Sequence, residues 1–455
     1  MNFYQRPSES VTRFYCIVGF LVGFLAHFKF FVIGKVTGAE AIAVFLLPVW
    51  FVLRDKSLNL GKSAVTLTLI GLYFASSLVS NFSAGNDFFL GLRGIAKPVF
   101  IGSYILFFMF VVPKVPKMLV YFILGLSLSP TWNLLIPPDK VDLEEAAAGG
   151  ISAEYANFTF LWYPMIQGYS SIVFYVLYRW NRLVGAIFDF SIVLPILGQL
   201  PRSVLGTQFL QFCYYSLIWL SKGSSTRAVR LSNFQLGSIV AVGVVSGIGV
   251  LYLYTYAAPR GWLGDRQMEK FEDQSQTIYG GTPLGIVLAG RLDSYALALG
   301  VFEGPFVGAG AWNPTAYAPH FIQAAADLGT ELSDDQMTAI FFRASGGHSI
   351  LFGEWFFQGI GGGLFFLYVG MTYVRLSFYF FRKDNLLTPL LGAGAIVFLW
   401  HLLFSPLSTQ SRLVAGLVVA MFNLLRYHPG FERRVLAEFH LSRPWKQIFS
   451  FKSAY

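Results

Sequence analysis

The chain has 455 residues, of which 55% are hydrophobic and 13% charged, and its formal net charge is +9. Soluble domains carry about 25% charged residues, so the composition excludes an ordinary water-soluble globule and makes lipid the main solvent. The positive balance invites a nucleic-acid reading, which the placement of the charges argues against.

Inside a bilayer only helices and closed barrels satisfy every backbone group. The apolar runs here have the roughly 17–25 residues that a spanning helix needs, and they lack the alternation of barrel strands. The expected fold is therefore an all-α polytopic membrane bundle. Spans are expected over 14–33, 38–53, 63–80, 95–112, 118–136, 158–178, 183–200, 203–221, 235–256, 349–374, 386–404 and 411–426, about twelve in all. The first run has no small-residue cleavage site after it and reads as a retained helix. Pro48 shortens the second, and Pro201 makes a tight hairpin of the seventh and eighth.

Basic residues test this layout through the positive-inside rule. With the N-terminus in the cytoplasm, the inner segments hold Arg6 and Arg13; Arg54, Lys56 and Lys62; Lys114 and Lys117; Arg179 and Arg182; Lys222, Arg227 and Arg230; and Arg375, Arg382 and Lys383. The tail adds Arg426, Arg433, Arg434, Arg443, Lys446 and Lys452, while most acids fall outside. The charge thus faces anionic lipid, and no nucleic-acid partner is expected. The chain divides into a membrane bundle over 1–256, an outer loop over 257–348, three further spans over 349–426 and a basic tail over 427–455. The loop is long enough to imply a function and is expected to contain a helix from Arg291 to Glu303. Cys16 and Cys213 lie in apolar stretches and read as buried hydrophobes.

Arginine near the outer membrane half costs about 2.5–3.5 kcal/mol at a helix centre, so it needs a partner or a purpose. Arg93 and Lys97 in GLRGIAKP, Arg202 in GQLPRSVLG, Arg291 in GRLDSYALALG, Arg343 in FFRASGGHSI and Arg412 all break the inner bias. Such a set suits a lipid-linked diphosphate, because each guanidinium can give two parallel hydrogen bonds to phosphate oxygens. One such charge pair at 4 Å is worth about 4 kcal/mol at an effective dielectric of 20. Snorkelling or pairing with the acidic loop is the plainer reading for Arg93, Lys97 and Arg412. His348 follows a flexible Ser345-Gly346-Gly347 and opens a span, where an imidazole could accept a hydroxyl proton; a structural role is the competing reading. Trp262, Tyr279, Tyr295, Trp312 and Tyr317 could stack on sugars or anchor at the interface. Gly361, Gly362 and Gly363 read as close helix packing, and Gly308 and Gly310 as a tight turn. Asp189 is the main intramembrane acid. No acid pair has metal spacing, and no metal or other cofactor is expected.

Taken together, the stretch from about Leu194 to Val369 resembles the O-antigen ligase and O-antigen polymerase superfamily of bacterial envelope glycan transferases. The resemblance is carried by Arg202 in its short connection, by Arg291, Tyr295, Pro305, Gly308 and Gly310 in the loop, and by HSILFGEWFFQGIGGGLFF after it. Pro201-Arg202 and His348-Ser349 stand where the family often has Ser-Arg and His-Asn, and Tyr295 where a Trp is common. The resemblance implies a GT-C-like, metal-independent, inverting transferase in the bacterial inner membrane, with its site periplasmic. Its donor would be a glycan on undecaprenyl diphosphate, held by Arg202 and Arg291, with His348 acting on the acceptor hydroxyl. Arg93, Lys97, Arg343, Tyr295 and Trp312 would be additional substrate contacts. Polymerisation of O-antigen or exopolysaccharide repeat units is the leading expectation and ligation to lipid A-core the runner-up. The acceptor would be a glycan or lipid, and a chain-length regulator and a flippase of the same pathway would be partners. Transport of polysaccharide or lipid-glycan is the alternative of another class, and a non-catalytic assembly scaffold a third.

Overall fold

The computed structural model describes residues 7–31, 35–54, 58–135, 158–193, 202–222, 249, 251–311, 313–330, 332, 349–428 and 430–439. These residues are mostly helical, and the one sheet described is a two-stranded hairpin of β1 (Lys29–Phe31) and β2 (Lys35–Thr37). The all-α expectation thus agrees with the architecture.

Helices begin where the sequence supplies caps. Helix α1 (Glu9–Phe24) starts after Ser8, whose side chain accepts from the Val11 amide. Helix α2 (Gly38–Phe45) opens on a capping box, with Thr37 and Glu40 bonding each other's backbone amides, which satisfies two donors that the helix itself cannot. Helix α3 (Leu47–Leu53) carries Pro48 in its first turn, where the missing N–H costs nothing. The run 38–53, expected as one span, is therefore two short helices. Helices α4 (Ala64–Ser83) and α5 (Phe88–Val111) follow, the latter capped by Asp87. Helix α6 (Met118–Leu128) continues through a 3-10 turn into α7 (Trp132–Leu135).

Next come α8 (Tyr163–Trp180), α9 (Arg182–Val193) and α10 (Arg202–Lys222). The expected outer loop contains α11 (Asp265–Ser275), α12 (Pro283–Ala289), α13 (Leu292–Glu303) and α14 (Pro314–Asp327). The helix expected from Arg291 to Glu303 is present as α13, with Arg291 as its N-cap. The C-terminal part holds α15 (Ile350–Gln358), α16 (Ile360–Arg382), α17 (Gly394–Phe404), α18 (Thr409–Tyr427) and α19 (Phe431–Glu438). Of the expected span 235–256, residue 249 and residues 251–256 are described, all of them helical.

Among the described residues four helical stretches are long and apolar enough to cross a membrane: Leu60–Ser83, Phe88–Val111, Met118–Leu135 and Ile360–Arg382. A fifth arises if α12 and α13, bent by 75°, are one broken span or a re-entrant loop. Thr388–Phe404 is a shorter apolar helix. The core is built around α5, whose Ile101, Tyr104, Ile105, Phe107 and Phe108 are fully buried. Outer faces stay apolar: Val65, Val79 and Phe82 on α4 are exposed, as expected of a surface that meets acyl chains rather than water. Helices α1 and α6 approach through glycines. A Cβ on Gly23 would stand 2.3 Å from the Phe122 carbonyl oxygen, and one on Gly125 2.2 Å from that of Phe20. Gly19 and Gly23 thus act as a small-xxx-small stripe.

Candidate functional site

The sequence SILFGEWFFQGIGGG forms two helices, not one. Gly359 breaks the run between α15 and α16 with φ of 77°, and a Cβ there would lie 2.7 Å from the Phe306 carbonyl oxygen. Beyond the break the chain doubles back. Three close approaches follow: Gly361 to the Leu72 carbonyl (2.5 Å from a built Cβ), Gly362 to the Glu354 carbonyl (2.4 Å) and Gly363 to the Trp355 ring (2.3 Å). The three glycines 361–363 therefore do what close packing asks of them. The segment Phe306–Gly310 is laced to this break: the Ile360 amide donates to Phe306, and the Ala309 and Gly310 amides donate to Phe356 and Phe357. Gly308 fits because only a hydrogen leaves room beside the Gly359 nitrogen, 2.4 Å from a built Cβ.

Ser349, the residue after His348, caps α15. Its hydroxyl accepts from the Phe352 amide and donates to the Leu402 carbonyl at 3.2 Å. Leu402 in turn packs on Gly370, which lies about 15 Å along α16 from its start at 1.5 Å per residue. The N-terminus of α15 thus rests on the last turn of α17, alongside the middle of α16.

Arg291 reaches the same turn from another direction. It stands at the 75° bend between α12 and α13. Its guanidinium carbon is 5.5 Å from the Trp400 ring centroid and 5.4 Å from that of Phe404, within the range of a cation–π attraction. His401 belongs to this turn too, and its Nδ1 is 2.7 Å from the Ser405 hydroxyl. Arg291 and Ser349, 58 positions apart in the numbering, are therefore brought onto one helix end. The N-termini of α13 and α15 carry partial positive charge, and with one guanidinium they make an arrangement suited to an anion.

Arg202 is the first residue of α10. Tyr214 of that helix donates to the Ser377 carbonyl at 2.8 Å and touches Gly392, so α10 descends beside α16 and the start of α17. Helix α9, its hairpin neighbour, begins where Arg182 pairs with Asp384 in the turn after α16. The backbone of Arg202 thus lies in the half of the bundle away from Asp384. His348, Arg343 and Trp312 lie outside the described residues.

The remaining sequence candidates separate. Arg93 is half-buried on α5, next to Gly94, where an added Cβ would stand 2.6 Å from Asn81 and 2.8 Å from Ala311. Tyr295 faces α14, donating to Asp327 at 3.0 Å, and that bond raises its phenol above the ordinary range. Tyr317 donates to Asp293 at 2.7 Å, and its burial raises its phenol further. Lys97 is turned inward: 7% exposed, it donates to Glu354 Oε1 at 2.6 Å, whose other oxygen accepts from Tyr73 at 2.6 Å. Arg412 is likewise buried, 2.6 Å from Glu40. Besides Asp189, the main intramembrane acid expected from the sequence, Glu354 and Glu40 are buried acids in apolar segments. The signal was present, since both acids interrupt apolar runs (FGEWFF and GAEAIAV) and such acids are costly without a cation.

Among the described residues no three His, Cys, Asp or Glu side chains gather as a metal site. Comparisons with protein-family models, with curated proteins and with solved structures return no match.

Proposed function

We propose that this chain is a membrane-embedded glycan transferase that uses undecaprenyl-diphosphate-linked oligosaccharide, acting as a polymerase of O-antigen or exopolysaccharide repeat units. The observation that carries the reading is the meeting of Arg291 and Ser349, the neighbour of His348, on the last turn of α17. Arg202 heads α10 in the half of the bundle away from Asp384, which supports assigning it with Arg291 to the diphosphate.

In the proposed reaction the acceptor hydroxyl attacks the anomeric carbon as the bond to the diphosphate breaks. The hydroxyl proton passes to His348, and undecaprenyl diphosphate leaves with the charge that formed on it. Arg202 and Arg291 favour the step because that charge is greater in the transition state than in the donor. Ligation to lipid A-core or another acceptor is the same chemistry with a different nucleophile. Transport of a lipid-linked glycan is the reading of another class, favoured by one observation: buried ionisable pairs beside a broken helix, which transporters also use.

A deletion strain separates these readings. Accumulated single repeats on the carrier indicate a polymerase, and long carrier-linked chains indicate a ligase. His348→Ala at normal protein level should abolish product if the chain is a transferase. Undiminished glycan from that variant would overturn the assignment.

A further inference from the structure

Helix α15 is short, interrupted at Gly359, and ends at Ser349, so something other than helix continuity must fix where its N-terminus stands. Short helices are marginal alone and take their stability from tertiary contacts. The strongest polar contacts on α15 come from one residue in its middle. Glu354 accepts from Lys97 of α5 at 2.6 Å and from Tyr73 of α4 at 2.6 Å. All three groups are buried, Tyr73 completely. One turn further on, Ser76 of α4 donates to the Gln358 carbonyl at 2.5 Å.

We infer that Glu354, gripped by Lys97 and Tyr73, is a positioning residue: it holds α15 in register against α4 and α5 and so sets the place of the residue that precedes the Ser349 cap. Lys97 then acts through Glu354 and not on substrate. This deepens the proposed function, because the residue so placed is His348. One cation and one neutral donor hold the carboxylate: Lys97 reaches one oxygen and the Tyr73 hydroxyl the other, so a side chain of the same shape without charge keeps the bulk and weakens the grip. Charged hydrogen bonds are roughly twice as strong as neutral ones, and a low local dielectric magnifies the difference.

The test uses the full chain in lipid nanodiscs, with two independent readouts. Amide hydrogen exchange is followed over residues 350–358 and, as an internal reference, over residues 366–376 of α16. Glu354→Gln should speed exchange in the first segment at least tenfold and leave the second unchanged. Tyr73→Phe, which removes one oxygen and is the milder change, should give a smaller effect of the same pattern. The exchanged pair Lys97→Glu with Glu354→Lys should recover protection. Transfer kinetics on a purified lipid-linked glycan form the other arm: Glu354→Gln should lower kcat at least tenfold with KM within about twofold, since the donor site is intact. Unchanged exchange in α15 overturns the inference, as does faster exchange throughout α16, which would mean general destabilisation. A loosened α15 with undiminished kcat overturns the positioning role. If the unaltered protein transfers no glycan, the proposed function fails, while the exchange arm still decides whether Glu354 holds α15.

Discussion

Arg412 of α18 stands 2.6 Å from Glu40 of α2, with both side chains buried. The contact joins α2, near the start of the chain, to α18, across the α5 core. Glu40 is committed twice, because its second oxygen also accepts from the Thr37 amide at 2.8 Å. Removing the guanidinium leaves a carboxylate stranded in apolar surroundings. Breaking such a pair from one side costs about 3–5 kcal/mol. Arg412→Ala should therefore lower the thermal midpoint in detergent steeply, whereas Arg412→Met with Glu40→Gln together should cost less than the sum of the two single changes. Strict additivity would show that the two groups do not interact.

The break at Gly359 gives a second expectation. Its φ of 77° is strained for any side chain, and a Cβ would be 2.7 Å from both the Phe306 carbonyl and the Ser76 hydroxyl. Gly359→Ala should cost about 1–3 kcal/mol of strain and disturb the 306–310 segment as well as α15. A protease-protection assay on that segment reads the change. Protection equal to that of the unaltered chain would mean the backbone can relax there.

These two sites show where sequence reading reaches and where it stops. Apolar runs marked α4, α5, α6 and α16 because a spanning helix needs about 20 apolar residues. The same logic ran 349–374 together as one span, since a glycine inside an apolar run does not announce a positive φ. Pro48 marks the second run as short, yet the expectation kept 38–53 as one span where the chain forms two helices. Arg291 was legible as an unusual cation, yet its seat on Trp400 and Phe404 was not, because the 75° bend that carries it there is a tertiary fact. Lys97 and Glu354 lie 257 positions apart, and read singly each is only an anomaly. Their pairing turns Lys97 from a candidate substrate contact into an interior residue.

Acidification should act on the C-terminal helix. Lys383 donates to Glu432, and Tyr379 donates to the same oxygen at 3.2 Å; the Lys383 bond is the main reason the Glu432 carboxyl sits below its usual range. A lowered folded-state pKa means the contribution is whole above the ordinary glutamate value of about 4.3 and is lost as pH falls through the lowered value. The difference in thermal midpoint between the unaltered chain and Glu432→Gln should accordingly be constant near neutrality and shrink toward zero at low pH. The pair is partly exposed, so the difference should also shrink with added salt. A gap that widens on acidification would contradict the assignment.

Arg291 offers the most direct test of the anion reading. A planar guanidinium lies within cation–π range of the Trp400 and Phe404 rings, 5.5 and 5.4 Å away, and has the fork geometry that matches two phosphate oxygens. Lysine keeps the charge and loses both the stacking plane and the fork. Removing one preorganised donor from a developing oxyanion costs about 100- to 1000-fold in rate, so Arg291→Ala should fall by at least 100-fold. Arg291→Lys should recover less than a tenth of the original rate, and Trp400→Leu, which spares the charge and the fork but removes one ring, should lose less than Arg291→Lys. Rates are read on a carrier-linked donor at saturating acceptor, with protein level held equal. Full activity of the lysine variant would mean that a point charge suffices at this position, and the diphosphate clamp would lose its geometric basis.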